Sequence, residues 1–272
     1  MQYRLLALDL DGTLVSSKGT VTEATKRAVW SFIRAGGTVA LASGRPTRGL
    51  WPAQDLKLSE KGGYLLSYNG GKIVDCKTGE TIYEKTIPQE LVPKIIRMVK
   101  EGGMEAISYQ DQYVLLEHVD RLWFDREAAV CRMEYKEVPD LAAYVTFPVV
   151  KLMACGAPEQ ILALEQTARA AFGDQVDVFR SEDFYLEFVA KGIDKAASLG
   201  VLLKHLGLAR ENLAACGDSY NDISMVAYAG LGIAMANAVP EVMDAAGAVT
   251  KSNDEDGVSD AIYKFILEQK DC

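Results

Sequence analysis

The chain is expected to fold as an α/β protein, a doubly wound parallel sheet into which a second, smaller α/β unit is inserted. Short apolar runs such as Leu5-Leu6-Ala7-Leu8 lack the alternation of a half-exposed strand. They suit parallel strands covered on both faces. Each run ends in small polar residues, and helix-like stretches separate the runs, which is the order of a doubly wound domain. The rhythm changes near residue 87 and returns after residue 181, so 1–86 and 182–272 are assigned to the core and 87–181 to the insertion.

The elements follow in order. Leu5 to Leu8 is the first strand, broken at Gly12. A helix is expected over Glu23 to Ala35, with Thr22 as its cap and Gly36-Gly37 as its stop. Thr38 to Leu41 then runs into Ser43-Gly44-Arg45-Pro46, and Tyr64 to Ser67 into Asn69-Gly70-Gly71. Inside the insertion, helices are expected at Glu90 to Glu101, Val119 to Val130 and Pro158 to Phe172. Strands are expected there at Ala106 to Ser108, Tyr113 to Leu116, Val149 to Ala154 and Gln175 to Phe179. The core resumes with a helix over Asp194 to Leu206 and the strand Leu213 to Cys216, which ends in Gly217-Asp218-Ser219-Tyr220-Asn221-Asp222. Strands at Gly232 to Met235 and Ala248 to Thr250 flank a helix at Val239 to Ala246, and a last helix covers Val258 to Glu268.

With 49% apolar and 25% charged residues over 272 positions, the composition is that of a globular domain with a large core. No apolar run approaches the ~20 residues that cross a bilayer. The expected location is therefore cytoplasmic. A net charge of -9 argues against general attraction to nucleic acid or anionic membrane, but not against a phosphate ligand held by a local lysine or a metal. Five cysteines without a CxxC pair, and only His118 and His205, indicate neither a disulfide framework nor a zinc cage. Nothing in the charge pattern names an oligomeric interface.

The candidate chemistry lies at strand ends. Asp9 and Asp11, two positions apart, sit where ligands of open α/β sheets bind, although Asp11-Gly12 also suits a plain turn. Asp218 and Asp222 are spaced to share the first turn of a helix with Asn221 nearby, where acidic residues are also favoured for their own sake. Four carboxylates converging on one crevice repel without a divalent cation, and hard oxygen ligands point to Mg2+. Ser43 and Gly44 offer a hydroxyl and backbone N–H groups to phosphate oxygens, or merely a capped turn. Lys191 and Lys195, four apart, are either anion anchors or solvated lysines. Such a set around a nucleophilic carboxylate suits phosphoryl transfer.

Asp9-Leu10-Asp11-Gly12-Thr13, Ser43-Gly44-Arg45, Lys191-Gly192-Ile193-Asp194-Lys195 and the 217–222 segment together resemble the haloacid dehalogenase superfamily. More narrowly, the chain is similar to its Cof-type sugar-phosphatase branch, with further likeness at 232–238 and 250–258. The resemblance implies a Rossmann-like core with an inserted cap of the C2B type. It makes Asp9 the nucleophile, Asp11 the general acid/base, and Ser43 and Lys195 phosphate-binding. It gives Asp9, the Asp11 carbonyl and Asp218 to Mg2+, with Asn221 and Asp222 completing or orienting the metal shell. The implied activity is hydrolysis of a small phosphomonoester; a phosphomutase and a non-catalytic phosphometabolite sensor are the alternatives. Sugar phosphate, pyridoxal phosphate and flavin mononucleotide all fit as ligands. Arg45, Asn69 and Lys151 are candidate substrate or cap contacts, although Lys151 also suits an edge or surface charge. Tyr109, Tyr113, Trp123 and Phe124 either stack on a ligand or pack the small core, and His118 beside them is a further candidate contact.

Overall fold

A computed structural model describes residues 1–118, 127 and 129–267. The strands among them are β1 (Leu5–Leu8), β2 (Thr38–Ala42), β3 (Tyr64–Ser67), β4 (Lys72–Asp75), β5 (Thr81–Glu84), β6 (Glu105–Gln110) and β7 (Tyr113–Leu116). They continue with β8 (Glu134–Glu137), β9 (Lys151–Cys155), β10 (Val176–Glu182), β11 (Tyr185–Ala190), β12 (Leu213–Gly217), β13 (Leu231–Ala234) and β14 (Ala248–Val249). The longer helices are α1 (Glu23–Arg34), α2 (Val92–Glu101), α3 (Pro158–Phe172) and α4 (Lys195–Leu206). Two short ones, α5 (Ile223–Tyr228) and α6 (Pro240–Ala245), follow.

One compact unit comprises Met1–Tyr83 and the chain from Asp194 onward. Its sheet has the order β14-β13-β12-β1-β2-β3-β4-β5, parallel as far as β3, with β4 antiparallel to β3. The continuous apolar runs have the burial expected of them: Leu5, Leu6, Ala7 and Leu8 are fully buried, as are Leu213 to Cys216. α1 begins at the expected cap, where the Thr22 hydroxyl accepts from Thr25 N at 3.2 Å. Its face of Ala28, Val29 and Phe32 packs into the same apolar cluster as Leu6, Leu8 and Leu41.

Glu84–Ile193 forms the second unit. Its sheet among the described residues runs β10-β11-β9-β6-β7-β8. One sheet face, with Ala106, Leu152, Ala154, Leu186 and Phe188, packs under Ile95 and Ile96 of α2 and Ile161 and Leu164 of α3. Alternation puts Tyr109, Lys151, Met153 and Glu187 on the other face. β11 pairs with β9 and β10, so the expected boundary at 181/182 moves to 193/194. No element is expected over 182–193 from the sequence; the short turn after β10 brings Tyr185–Ala190 back to its neighbour, and its pairing with β9 fixes it in the second unit. The expected helix over Val119 to Val130 lies almost wholly outside the described residues, as do Trp123, Phe124 and Glu268.

Candidate active site

β1 lies between β12 and β2, with Leu8 in register with both Cys216 and Leu41. The loops leaving these three carboxyl ends carry Asp9, Asp218 and Ser43. Asp9 N donates to Cys216 O at 3.1 Å, which ties the first acidic loop to the end of β12. Lys195 opens α4 behind them, one residue after Asp194, whose carboxylate caps the helix by accepting from Ala197 N at 2.8 Å. The Lys195 ammonium is fully buried and donates to Asp9 Oδ1 and to Asp222 Oδ1, each at 2.6 Å. The second oxygen of Asp222 accepts from Asp218 N at 3.0 Å and Ser219 N at 3.1 Å, so this carboxylate holds its own loop as well as the lysine.

One carboxylate oxygen from each of Asp9, Asp218 and Asp222 lies within 4.8 Å of the others. Three carboxylates then face one ammonium, and the field shows it. Burial, with repulsion from Asp222, pushes the Asp9 carboxyl well above the usual range. Burial pushes Asp218 up to about 6, against the Thr13 hydrogen bond that lowers it. For Lys195, burial pulls its pKa down, but Asp9 and Asp222 outweigh it and the ammonium is held above its ordinary value. An oxygen-only, anion-rich cluster of this size fits a hard divalent cation, with Asp9, Asp218 and Asp222 each offering one carboxylate oxygen.

The profile of the haloacid dehalogenase-like hydrolases matches residues 6–262. The chain belongs to this family. A haloacid dehalogenase-like hydrolase from Bacteroides thetaiotaomicron is 38% identical and superposes with a TM-score of 0.94 over 96% of this chain and 99% of its own. The TM0651 structure from Thermotoga maritima is 30% identical, with a TM-score of 0.87 over 99% of each chain. Bacillus subtilis YcsE, a 5-amino-6-(5-phospho-D-ribitylamino)uracil phosphatase, is 28% identical over 98% of this chain and 97% of its own. Among the described residues, no helix is long and apolar enough to cross a membrane.

In this haloacid dehalogenase-like hydrolase the other expected residues fall into distinct places. The Asp11 side chain is outside the carboxylate cluster and 58% exposed, and Arg45 grips it with both arms of its guanidinium: Nη2 to Oδ1 at 2.5 Å and Nε to Oδ2 at 2.9 Å. Ser43 is buried and its hydroxyl accepts from Arg45 N at 3.2 Å. Asn69 N donates to Ser43 O at 2.8 Å, and its side-chain oxygen accepts from Asn221 Nδ2 at 3.0 Å; a Cβ on Gly44 would lie 3.2 Å from the Asn69 amide. Asn221 is thus joined by its side chain to the turn after β3, and Asn69 joins that turn to the Ser43 loop. Of the two lysines left open by their spacing, Lys195 is the buried one. Lys191 belongs to the second unit, where it bonds Gly173 O and Asp177. Lys151 is buried in the second unit against Glu187 at 3.2 Å. Tyr109 beside it donates its hydroxyl to Glu127, which is packing rather than an open ring face, and His118 is exposed.

Thr13 went without a role in the motif, yet its hydroxyl donates to Asp218 Oδ1 at 2.6 Å. Its hydroxyl is buried, and a buried hydroxyl needs a partner, here the Asp218 carboxylate; no sequence pattern marks it. A Cβ on Gly12 would come 2.2 Å from Asp218 Oδ2, so the two acidic loops touch at this residue.

Proposed function

We propose that the protein is a Mg2+-dependent phosphomonoester hydrolase of the Cof-type branch, with Glu84–Ile193 as its C2B-type cap, acting on small phosphorylated metabolites such as sugar phosphates. The buried Lys195 bridging Asp9 and Asp222, with Asp218 completing the cluster, is the observation that carries this reading. Asp9 is the nucleophile: its carboxylate attacks phosphorus in line and forms an aspartyl-phosphate as the ester oxygen leaves. Asp11 gives that oxygen a proton and then takes one from the water that hydrolyses the acyl phosphate. For this, Asp11 exchanges its Arg45 partner for the substrate oxygen, a step open to an exposed side chain. Lys195, the Ser43 hydroxyl and the Gly44 N–H stabilise the charge on the transferring group. Asp9, the Asp11 carbonyl and Asp218 would hold Mg2+, which supplies neutralising charge between carboxylate and phosphate; Asp222 and Asn221 orient these loops. Arg45 and Asn69, at the ends of β2 and β3, are proposed substrate contacts.

A phosphate-release screen against a metabolite library, with and without Mg2+, tests the reading. Release that needs Mg2+ and is lost in Asp9→Asn supports it. Near-normal turnover by Asp9→Asn overturns the nucleophile, and isomeric esters without stoichiometric phosphate would make the protein a mutase instead.

A further inference from the structure

Two loops supply the carboxylates, one after β1 and one after β12, and a third loop binds both. This is Met235–Val239, leaving β13. Its backbone holds the β12 side: Met235 N donates to Gly217 O at 3.1 Å and Val239 N to Asp218 O at 2.9 Å. Its side chain holds the β1 side, where Asn237 Nδ2 donates to Gly12 O at 2.8 Å. The amide is oriented by its other end, since Asn237 Oδ1 accepts from Asn253 N at 3.0 Å. Thr13, next to Gly12, donates back to the Asp218 carboxylate at 2.6 Å. The bonds therefore form a closed circuit from Asp218 O through Val239 and Asn237 to Gly12, then through Thr13 to the carboxylate of the same Asp218.

We infer that Asn237 is a positioning residue for the divalent cation, fixing the spacing between the Asp9 loop and the Asp218 loop. The inference rests on the cation in the proposed function. Mg2+ tolerates little departure from octahedral geometry at about 2.0–2.1 Å, so slack between two ligand-bearing loops weakens it directly. Residues that orient ligands without touching the metal typically cost about 10–100-fold in affinity when removed. Asn237 is exposed, which places it at the low end.

Calorimetric titration of the full chain with MgCl2, without substrate, tests this. Asn237→Ala is expected to weaken Mg2+ about tenfold. Asn237→Asp keeps the acceptor for Asn253 N but loses the donor to Gly12 O, and its added charge alone would tighten a cation. Weakening in both variants therefore isolates geometry. Asn253→Ala removes only the bond to Val15 O and is expected to leave the affinity within about twofold. Affinity within about twofold of wild type in Asn237→Ala, or in Asn237→Asp should the alanine variant not fold, overturns the inference. So does a wild type that binds no Mg2+. Phosphate release measured in parallel separates the two readings. Weakened Mg2+ binding in a protein that hydrolyses nothing removes the hydrolase and keeps the positioning role, whereas hydrolysis with unchanged Mg2+ affinity does the reverse.

Discussion

Each unit buries a lysine against carboxylate, and the two sites are built on different terms. Lys195 donates at 2.6 Å to both Asp9 and Asp222, and Asp222 has its other oxygen on two backbone amides. Lys151 meets Glu187 at the longer 3.2 Å, with the Tyr109 ring 5.4 Å away, and Glu187 Oε2 is buried with no hydrogen-bond partner among the described residues. For Lys151 too, burial acts against the charge and Glu187 and Glu127 outweigh it. The first site is tied by several hydrogen bonds but overloaded with negative charge. The second has a paired charge but an unfilled acceptor. An excess of charge held in place by hydrogen bonds suits chemistry on an anion with a cation present. A buried pair with an orphan oxygen is a local cost in a folded sheet.

Substitutions can break this contrast, starting with the most severe. Asp9→Asn should lower Mg2+-dependent phosphate release by about four orders of magnitude or more while the far-UV circular dichroism stays native, since a deleted nucleophile has no substitute. Lys195→Met should cost about 10²–10³ in turnover, the scale of one lost charge-stabilising donor, measured as kcat at saturating Mg2+. Lys151→Met leaves Glu187 buried without its cation and should destabilise the chain by about 3–5 kcal/mol in denaturant unfolding. Replacing both partners, Lys151→Met with Glu187→Leu, should restore stability to within about 1 kcal/mol of wild type or exceed it. Equal stability of the single and double variants would show that the pair is not the weak point described here.

The mildest test uses pH. Burial raises Asp218 from 3.8 to about 6, so between those values the folded chain holds a proton that the unfolded chain has released. Stability contributed by this group is therefore present at low pH and lost as pH rises through about 6. In chelator, Asp218→Asn should gain in Tm relative to wild type between about pH 4 and pH 7, and Mg2+ should erase that gain by stabilising only the wild type. A constant difference across the range would remove the desolvated carboxylate from the account.

The parallel strands were legible because burial on both faces writes itself as a continuous apolar run, as in β1 and β12. The two strands beyond β3 were not. Lys72–Asp75 and Thr81–Glu84 are only partly buried and mix charges with apolar residues, so no period marks them. β11 was not among the expected strands, and its pairing with β9, which assigns it to the second unit, joins segments far apart in the chain. In the site, the acidic residues announced themselves by spacing, whereas spacing left Lys191 and Lys195 open, and only the resemblance singled out Lys195, the one that is buried. The pairing of Arg45 with Asp11 and the reach of Asn237 to Gly12 join segments far apart in the chain, and no local pattern encodes them.

Gly12 carries one more consequence. Its φ of +83° and the Asp218 carboxylate, which a Cβ at this position would overlap, close the position on two independent grounds. In a saturation library screened for turnover, that site should return glycine alone, and relaxing the backbone strain would not open it. Variation there is limited by the carboxylate of Asp218, so the loop after β1 and the loop after β12 constrain each other's side chains.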